Sequence, residues 1–231
     1  MNKALPRTDV CAIIPCFNEG RKIREIVAEV RETIAAVLVV DDGSSDATAL
    51  EAEAAGAIVL KQPRNMGKGA ALKTGFAWAA ERGYRAALTL DGDGQHDTAE
   101  IPLFLNAFDK GDCEIVVGNR MTDLKSMPRI RRWTNRFTSW AISRMARQKI
   151  WDSQCGYRLI SIDIWKDVRL ETKRYEMESE ILIRACRQGA RLSQVTVKTI
   201  YFSSAQSKIN PFTDSIRFLK LLWRCRNAEQ A

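Results

Sequence analysis

Five short apolar runs punctuate the first half of the chain, and most of them stop beside an acid, a glycine or a proline. They are VCAIIP (10–15), AVLVVD (36–41), AIVLK (57–61), AALTLD (86–91) and CEIVVG (113–118). Each is too short for a helix and rich in Val, Ile or Leu, so each reads as a buried strand. Between them lie stretches of helical period. Ile23, Ile26, Val27 and Val30 recur within 19–33. Asp46 can cap a second helix that Gly56 ends. A third opens at Gly67–Gly69 and runs to about Gly83, and a fourth lies near 99–109. This alternation predicts an α/β fold: a Rossmann-like, mostly parallel sheet with helices on both faces. The runs are continuous rather than alternating, as burial on both faces requires.

In such a sheet, ligands collect outside the carboxyl ends of the strands. Asn18 and Glu19 follow the first strand, Asp41 and Asp42 end the second, and Asp91 and Asp93 end the fourth. They are distant in sequence, yet the topology brings them to one edge. Asp91 and Asp93 flank Gly92, and two like charges so close repel unless a cation lies between them. Oxygen ligands of this kind suit Mg2+ or Mn2+, and glycines at 92 and 94 let the backbone approach a ligand. A solvated acidic turn is the other reading.

Several better-known motifs fail on spacing. A calcium loop starting at Asp91 would need Gly and Glu where His96 and Pro102 stand. A D-x-D-x-T phosphatase signature meets Gln95 at its last position. RNMGKGAA (64–71) lacks the first glycine and the Ser or Thr of a P-loop. Lys68 either favours an anion at a helix start or is solvated on a tight turn. PCFNEG stands where a dinucleotide fold carries G-x-G-x-x-G, which argues against NAD or FAD.

The 231 residues fit one domain, and a net charge of +8 suggests an anionic partner: nucleotide, phospholipid surface or nucleic acid. The six cysteines form no C-x-x-C pair and read as reduced thiols of a cytosolic protein. No apolar run approaches the roughly 18–20 residues of a membrane span, and the N-terminus has no secretory apolar region. Residues 129–151 hold seven Lys or Arg and no acid, with Trp133, Phe137, Trp140 and Met145 roughly along one helical face. A helix over about 176–188, a strand over about 191–202 and an amphipathic helix over about 212–225 follow. Both basic amphipathic segments suit the headgroup boundary of an anionic leaflet, or pack their apolar faces on their own domain.

Taken together, IIPCFNE (13–19), VVDDGSSDAT (39–48), NMGKGAAL (65–72), LDGDGQHD (90–97), GNR (118–120), DSQCGYRLI (152–160), YEMESEI (175–181) and SKIN (207–210) resemble the family-two glycosyltransferases of the GT-A fold. The likeness is to polyprenyl- and dolichyl-phosphate mannose synthases, and it covers about residues 10–210. It implies a catalytic domain over 1–210, with 129–151 facing acceptor and membrane, and a C-terminal amphipathic helix over 211–231. Pro15, Phe17, Glu19, Val40 and Asp42 match positions that hold the donor nucleotide. Asp91, Asp93 and Gln95 match the metal set, with Gly92 between the acids. Arg120 matches an arginine near the phosphates, Lys208 a lysine over the donor, and Lys68 joins the donor set. Catalytic candidates are Asp93, Arg120 and Glu178; Arg131 and Arg132 are the candidates for the acceptor phosphate. There are departures: Phe17 replaces a common Tyr, Phe202 a common Arg, and Glu178 a common Asp.

The implied chemistry is transfer of a sugar from GDP-mannose or a UDP-sugar to a polyprenyl phosphate, with Mg2+ or Mn2+ stabilising the departing diphosphate. Attack opposite the nucleotide would invert the anomeric centre. A soluble or polysaccharide hydroxyl is the alternative acceptor and would need a base. A nucleotidyltransferase would carry G-x-G-T-R-L where PCFNEG stands. A basic nucleic-acid module would not need three acidic strand ends, so no nucleic acid is expected. The expected location is cytoplasmic, peripheral on the cytoplasmic face of a membrane, reached by surface docking or through a membrane partner protein.

Overall fold

The computed structural model describes residues 5–122, 129–172, 174–198, 200 and 211–227. Its centre is a seven-stranded sheet. The strands are β1 (Arg7–Cys16), β2 (Ile34–Asp41), β3 (Ile58–Lys61), β4 (Ala86–Thr89), β5 (Ile115–Asn119), β6 (Arg158–Ser161) and β7 (Leu192–Thr196), in the order β3-β2-β1-β4-β6-β5-β7. The helices are α1 (Ile23–Arg31), α2 (Thr48–Ala54), α3 (Lys68–Glu81), α4 (Ile101–Asp109), α5 (Arg129–Ala146), α6 (Ile162–Asp167), α7 (Glu176–Arg187) and α8 (Pro211–Asn227).

The apolar runs of β1, β2, β4 and β5 form strands because both faces are covered, whereas β3 lies at the sheet edge with Ile58 exposed. Val10–Ile14 of β1 and Val37–Val40 of β2 are buried throughout. Each such side chain contributes about 1.5–3 kcal/mol by leaving water. The helix α3 crosses β1 at close range: a Cβ on Gly75 would stand 2.4 Å from Ile13 Cγ2. Glycine at that position permits the approach.

Expectation and structure differ in instructive places. The strand β1 starts at Arg7, where the guanidinium spans Asp9 and Asp109. The strand β4 stops at Thr89; the Leu90 amide still donates to the Ile13 carbonyl of β1 at 3.3 Å, and the chain then leaves the ladder for the turn at Gly92 and Asp93. The last strand is shorter than expected and ends at Thr196. The largest difference is β6, which the sequence did not announce and which runs antiparallel to both β4 and β5. Its start therefore lies at the edge where β4 and β5 end, carrying DSQCGYR to the acidic turn. The short α6 was likewise unannounced.

Helices α5, α7 and α8 pack together at one side of the sheet. Arg187 of α7 ties them by donating to the carbonyls of Met145 and Cys225. Met145 turns towards the core, whereas Trp133, Phe137 and Trp140 are exposed, so the four do not share one environment.

Candidate functional site

Two loops at the carboxyl edge of the sheet are laced into one cradle. The parallel register sets Pro15 against Val40 and Cys16 against Asp41, so β1 and β2 end level. Asn18, in the left-handed region at φ 57°, accepts from the Ser45 amide at 2.9 Å, and its own amide donates to Ser44 Oγ at 2.9 Å. The Glu19 amide donates to Thr48 Oγ1 at 2.9 Å and the Gly20 amide to Asp46 Oδ2 at 3.0 Å. Asp46 thus braces the first loop as well as the start of α2. Phe17 and Glu19 are half-buried at the cradle rim, and Val40 is buried below it.

Asp42 carries the cradle on to α3. Its two carboxylate oxygens accept from the Met66 amide at 2.7 Å and the Gly67 amide at 2.8 Å. Beside it Gly43 has φ 75°, and a Cβ there would meet the Arg64 backbone at 2.6 Å. The residue that follows Gly67 is Lys68, the first of α3.

Lys68 is not solvated on its turn. Its Nζ lies 2.6 Å from Asp91 Oδ1 and 3.1 Å from Glu178 Oε2, joining β4's turn to the first turn of α7. The side chains of Lys68, Asp91 and Glu178 are only 16%, 31% and 13% exposed. Burial alone would raise the Asp91 pKa, but the Lys68 ammonium overrides it and holds the carboxyl well below the usual range. Burial likewise opposes charge on Lys68, and the two carboxylates outweigh it, so its pKa is raised. Gly156 leaves room for this trio: a Cβ there would stand 2.8 Å from Lys68 Nζ, 3.1 Å from Asp91 Oδ2 and 3.2 Å from Glu178 Oε1.

The rest of the turn is equally constrained. A Cβ on Gly92 would meet Cys16 Sγ at 2.5 Å, so the turn lies directly against the end of β1. Asp93 accepts from the Gln95 amide at 3.0 Å and from Gln95 Nε2 at 2.6 Å. That leaves the Gln95 carbonyl oxygen and further lone pairs of Asp93 as acceptors. Lys22 Nζ holds the Asp93 carbonyl at 2.8 Å. The buried His96 places Nε2 3.5 Å from Asp91 Oδ2, and Nδ1 has no hydrogen-bond partner among the described residues.

These groups fit a hard divalent cation. Asp91 already draws a cation to itself, and the adjoining donors are carboxylate and amide oxygens. No group of three or more His, Cys, Asp or Glu among the described residues is placed to hold a metal ion by itself. Mg2+ commonly takes one or two protein carboxylates and completes its shell with phosphate, so the set suits an ion that arrives with a diphosphate.

A second charged group borders the first. Arg120, just past β5, forks onto the fully buried Asp152 through Nε at 2.7 Å and Nη2 at 3.0 Å. Asp152 also accepts from Asn135 Nδ2 of α5 at 2.8 Å. Burial would raise the Asp152 pKa, and Arg120 reverses that and lowers it. The buried Arg158 donates Nε to the Cys155 carbonyl at 2.8 Å, Nη2 to the Ser153 carbonyl at 2.8 Å and Nη1 to the Glu178 carbonyl. It pins the 153–155 loop to the start of α7.

Of the sequence-predicted residues, Pro15, Phe17, Glu19, Val40, Asp42, Lys68, Asp91, Gly92, Asp93, Gln95 and Glu178 lie along this edge. Arg120 stands at the end of β5, held by Asp152. Arg132 is half-buried on α5. Lys208 and the side chain of Arg131 lie outside the described residues. Sequence reasoning gave no role to Asp152, Gly156 or Arg158. A charge ledger could have found Asp152, because a half-buried arginine calls for a carboxylate.

Comparison with known proteins gives these positions a context. Residues 11–169 match the family model described as Glycosyl transferase family 2. The UDP-N-acetylglucosamine–dolichyl-phosphate N-acetylglucosaminyltransferase of Methanococcus voltae is 32% identical, over 82% of this chain and 84% of that protein. The undecaprenyl-phosphate mannosyltransferase of Micrococcus luteus is 30% identical, over 87% of each. Among solved structures, glucosyl-3-phosphoglycerate synthase from Mycobacterium tuberculosis with UDP superposes with a TM-score of 0.76 at 19% identity, covering 94% of this chain and 79% of that one. That likeness is one of fold. Other structures of the same synthase hold UDP with Mn2+ or Mg2+. The chain belongs to glycosyl transferase family 2 and is a glycosyltransferase with the GT-A fold.

Proposed function

We propose that the protein transfers a sugar, with mannose the leading candidate, from a nucleotide-sugar to a polyprenyl phosphate, with metal dependence and inversion at the anomeric carbon. The observation that carries the reading is the meeting of Asp91, Lys68 and Glu178 beside the laced β1–β2 cradle. It supplies charge control at the point where a diphosphate would leave. Relatives whose names specify dolichyl or undecaprenyl phosphate support the acceptor.

In this reading Phe17 and Glu19 line the nucleoside end of the cradle, Val40 and Asp42 support it from beneath, and Pro15 sets the exit from β1. Asp91, Asp93 and Gln95 would hold Mg2+ or Mn2+. Bound there, the ion would neutralise charge that builds on the diphosphate as the anomeric C–O bond breaks. Arg120, oriented by Asp152, would bring its positive charge to the same region, and Lys208 would add a cation over the donor. Arg131 and Arg132 orient the acceptor phosphate, whose oxygen forms the new bond from the face opposite the nucleotide. A phosphate oxygen is already anionic near neutral pH, so no strong base is required. Glu178, which already shares the Lys68 ammonium, then acts by placing that cation rather than by taking a proton.

A lipid acceptor would also bring the chain to a membrane surface, on the cytoplasmic side where nucleotide-sugars are made. No helix among the described residues is long and apolar enough to cross a membrane. The test is a panel of GDP-mannose and UDP-sugars with Mn2+ or Mg2+, with and without polyprenyl phosphate, following the glycolipid by chromatography. Lipid-dependent glycolipid formation is expected. Transfer only to hydroxyl acceptors, with lipid omitted, would overturn the reading.

A further inference from the structure

Lys68 already puts a cation on the acidic turn. Its Nζ stands 2.6 Å from Asp91 Oδ1 and 3.1 Å from Glu178 Oε2. The other oxygens of the same carboxylates converge as well. Asp91 Oδ2 and Glu178 Oε1 lie 3.1 Å and 3.2 Å from the point that a Cβ on Gly156 would occupy, and Nζ lies 2.8 Å from it. One ammonium thus sits in a tight space bounded by two carboxylates and a bare glycine. The trio is largely out of water, so solvent and salt screen it little. Both ends of the bridge are anchored. The Gly67 amide, next to Lys68 at the start of α3, is held by Asp42, and the Glu178 carbonyl is held by the buried Arg158.

A divalent cation that uses Asp91 Oδ1 must therefore take it from Lys68, against the repulsion of the ammonium. Lys22 is placed differently: its Nζ holds the main-chain carbonyl of Asp93 at 2.8 Å, while the Asp93 carboxylate accepts from the Gln95 amide and Nε2. For a metal ion alone the exchange at Asp91 is poor, because it leaves two cations side by side. A diphosphate changes the balance. Its oxygens add negative charge around the metal, and they give the displaced ammonium a new partner at the start of a helix, where phosphate is already favoured. The charges of the site then favour metal and diphosphate together over either alone, and such coupling is reciprocal.

We propose that Lys68 is a positioning residue that makes metal entry conditional on the diphosphate. Its ammonium holds Asp91 and Glu178 while the donor is absent, and passes to the phosphates when a divalent cation arrives with them. The inference rests on the metal-and-diphosphate reading above and adds the order of entry and the residue that sets it. It is independent of which acceptor takes the sugar.

The experiment is Mn2+ binding to the full chain, read from the paramagnetic resonance of free Mn2+, with and without UDP or GDP. It compares wild type with Lys68→Met, Lys68→Arg, Lys22→Met and Lys68→Met/Asp93→Ala, each checked by circular dichroism. Lys68→Gln, which keeps a donor without the charge, replaces Lys68→Met if that variant does not fold. Without nucleotide, Lys68→Met should bind Mn2+ more tightly than wild type by on the order of tenfold or more, and Lys68→Arg should not. Mn2+ should then raise the melting temperature of Lys68→Met more than that of wild type. The added Asp93→Ala should abolish the gain, which places it at the turn. UDP or GDP should tighten Mn2+ binding far more in wild type than in Lys68→Met. Equal or weaker binding of free Mn2+ by folded Lys68→Met would overturn the inference, and so would an equal gain in Lys22→Met, which would reduce the effect to net charge. Nucleotide-promoted Mn2+ binding that is the same in wild type and Lys68→Met would remove the inference alone. Mn2+ bound by neither protein, even with UDP or GDP, would remove the metal reading with it.

Discussion

Lys68 is the residue on which two buried carboxylates depend, and its removal has a signed consequence. Lys68→Met would leave Asp91 and Glu178 without their shared cation. Removing one partner of a buried pair costs about 3–5 kcal/mol, and the partial exposure of these side chains reduces that to roughly 2 kcal/mol. The pH dependence follows from the two shifts. Asp91 titrates below its unfolded value, so its contribution is present above about pH 4 and is lost as pH falls towards the folded value. Lys68 titrates above its unfolded value, so its contribution is full below about pH 10 and is lost as pH rises further. The stability gap between wild type and Lys68→Met, from urea unfolding, should be constant between about pH 5 and 9 and narrow below about pH 4. A gap that persists undiminished at the acid end would show that the ion pair is not its source. Asp152 behaves alike: Asp152→Asn should weaken the hold on Arg120 and lower transfer at saturating donor, with Arg120→Lys failing to reproduce the forked contact.

At the scale of elements, close approaches make the sharpest tests. Gly156→Ala would push a methyl to 2.8 Å from Lys68 Nζ, so it should cut turnover by on the order of tenfold or more and lower stability by no more than the roughly 2 kcal/mol that losing the Lys68 contact costs. Gly75→Ala acts on packing instead, against Ile13 at the crossing of α3 and β1, and should cost about 1–3 kcal/mol in unfolding experiments. The elements themselves were legible to different degrees. The strands β1, β2, β4 and β5 could be read because burial on both faces demands unbroken apolar runs. RLIS could not be read as β6: it is four residues long and starts with an arginine whose charge is met by carbonyls supplied by the fold. The apolar and polar stripes of α5 are visible in the sequence, but which one packs inward is decided by Asp152 and Ser153, distant residues that bond Asn135 and Ser139 on the polar side. Lys68 looked equally like an anion site and a solvated turn because its partners lie 23 and 110 positions away.

For the whole molecule, topology does what local sequence cannot. The sheet order sets β1 between β2 and β4, so the acids that end β2 and β4 flank the loop after β1. The antiparallel insertion of β6 then turns the 152–158 loop to the same edge. One side of the chain thereby collects carboxylates, while α5 displays arginines and aromatic rings outward. The net charge of +8 is consistent with anionic partners at both places. The measurement closest to this division of labour is calorimetric binding of UDP and GDP, with Mn2+ present or chelated, to wild type and to folded Asp93→Ala. Diphosphate binding should require Mn2+ and fall about 100-fold or more in the variant, with uridine or guanosine alone bound equally by both. Equal diphosphate binding by both proteins, indifferent to Mn2+, would contradict a cation bridge at the end of β4.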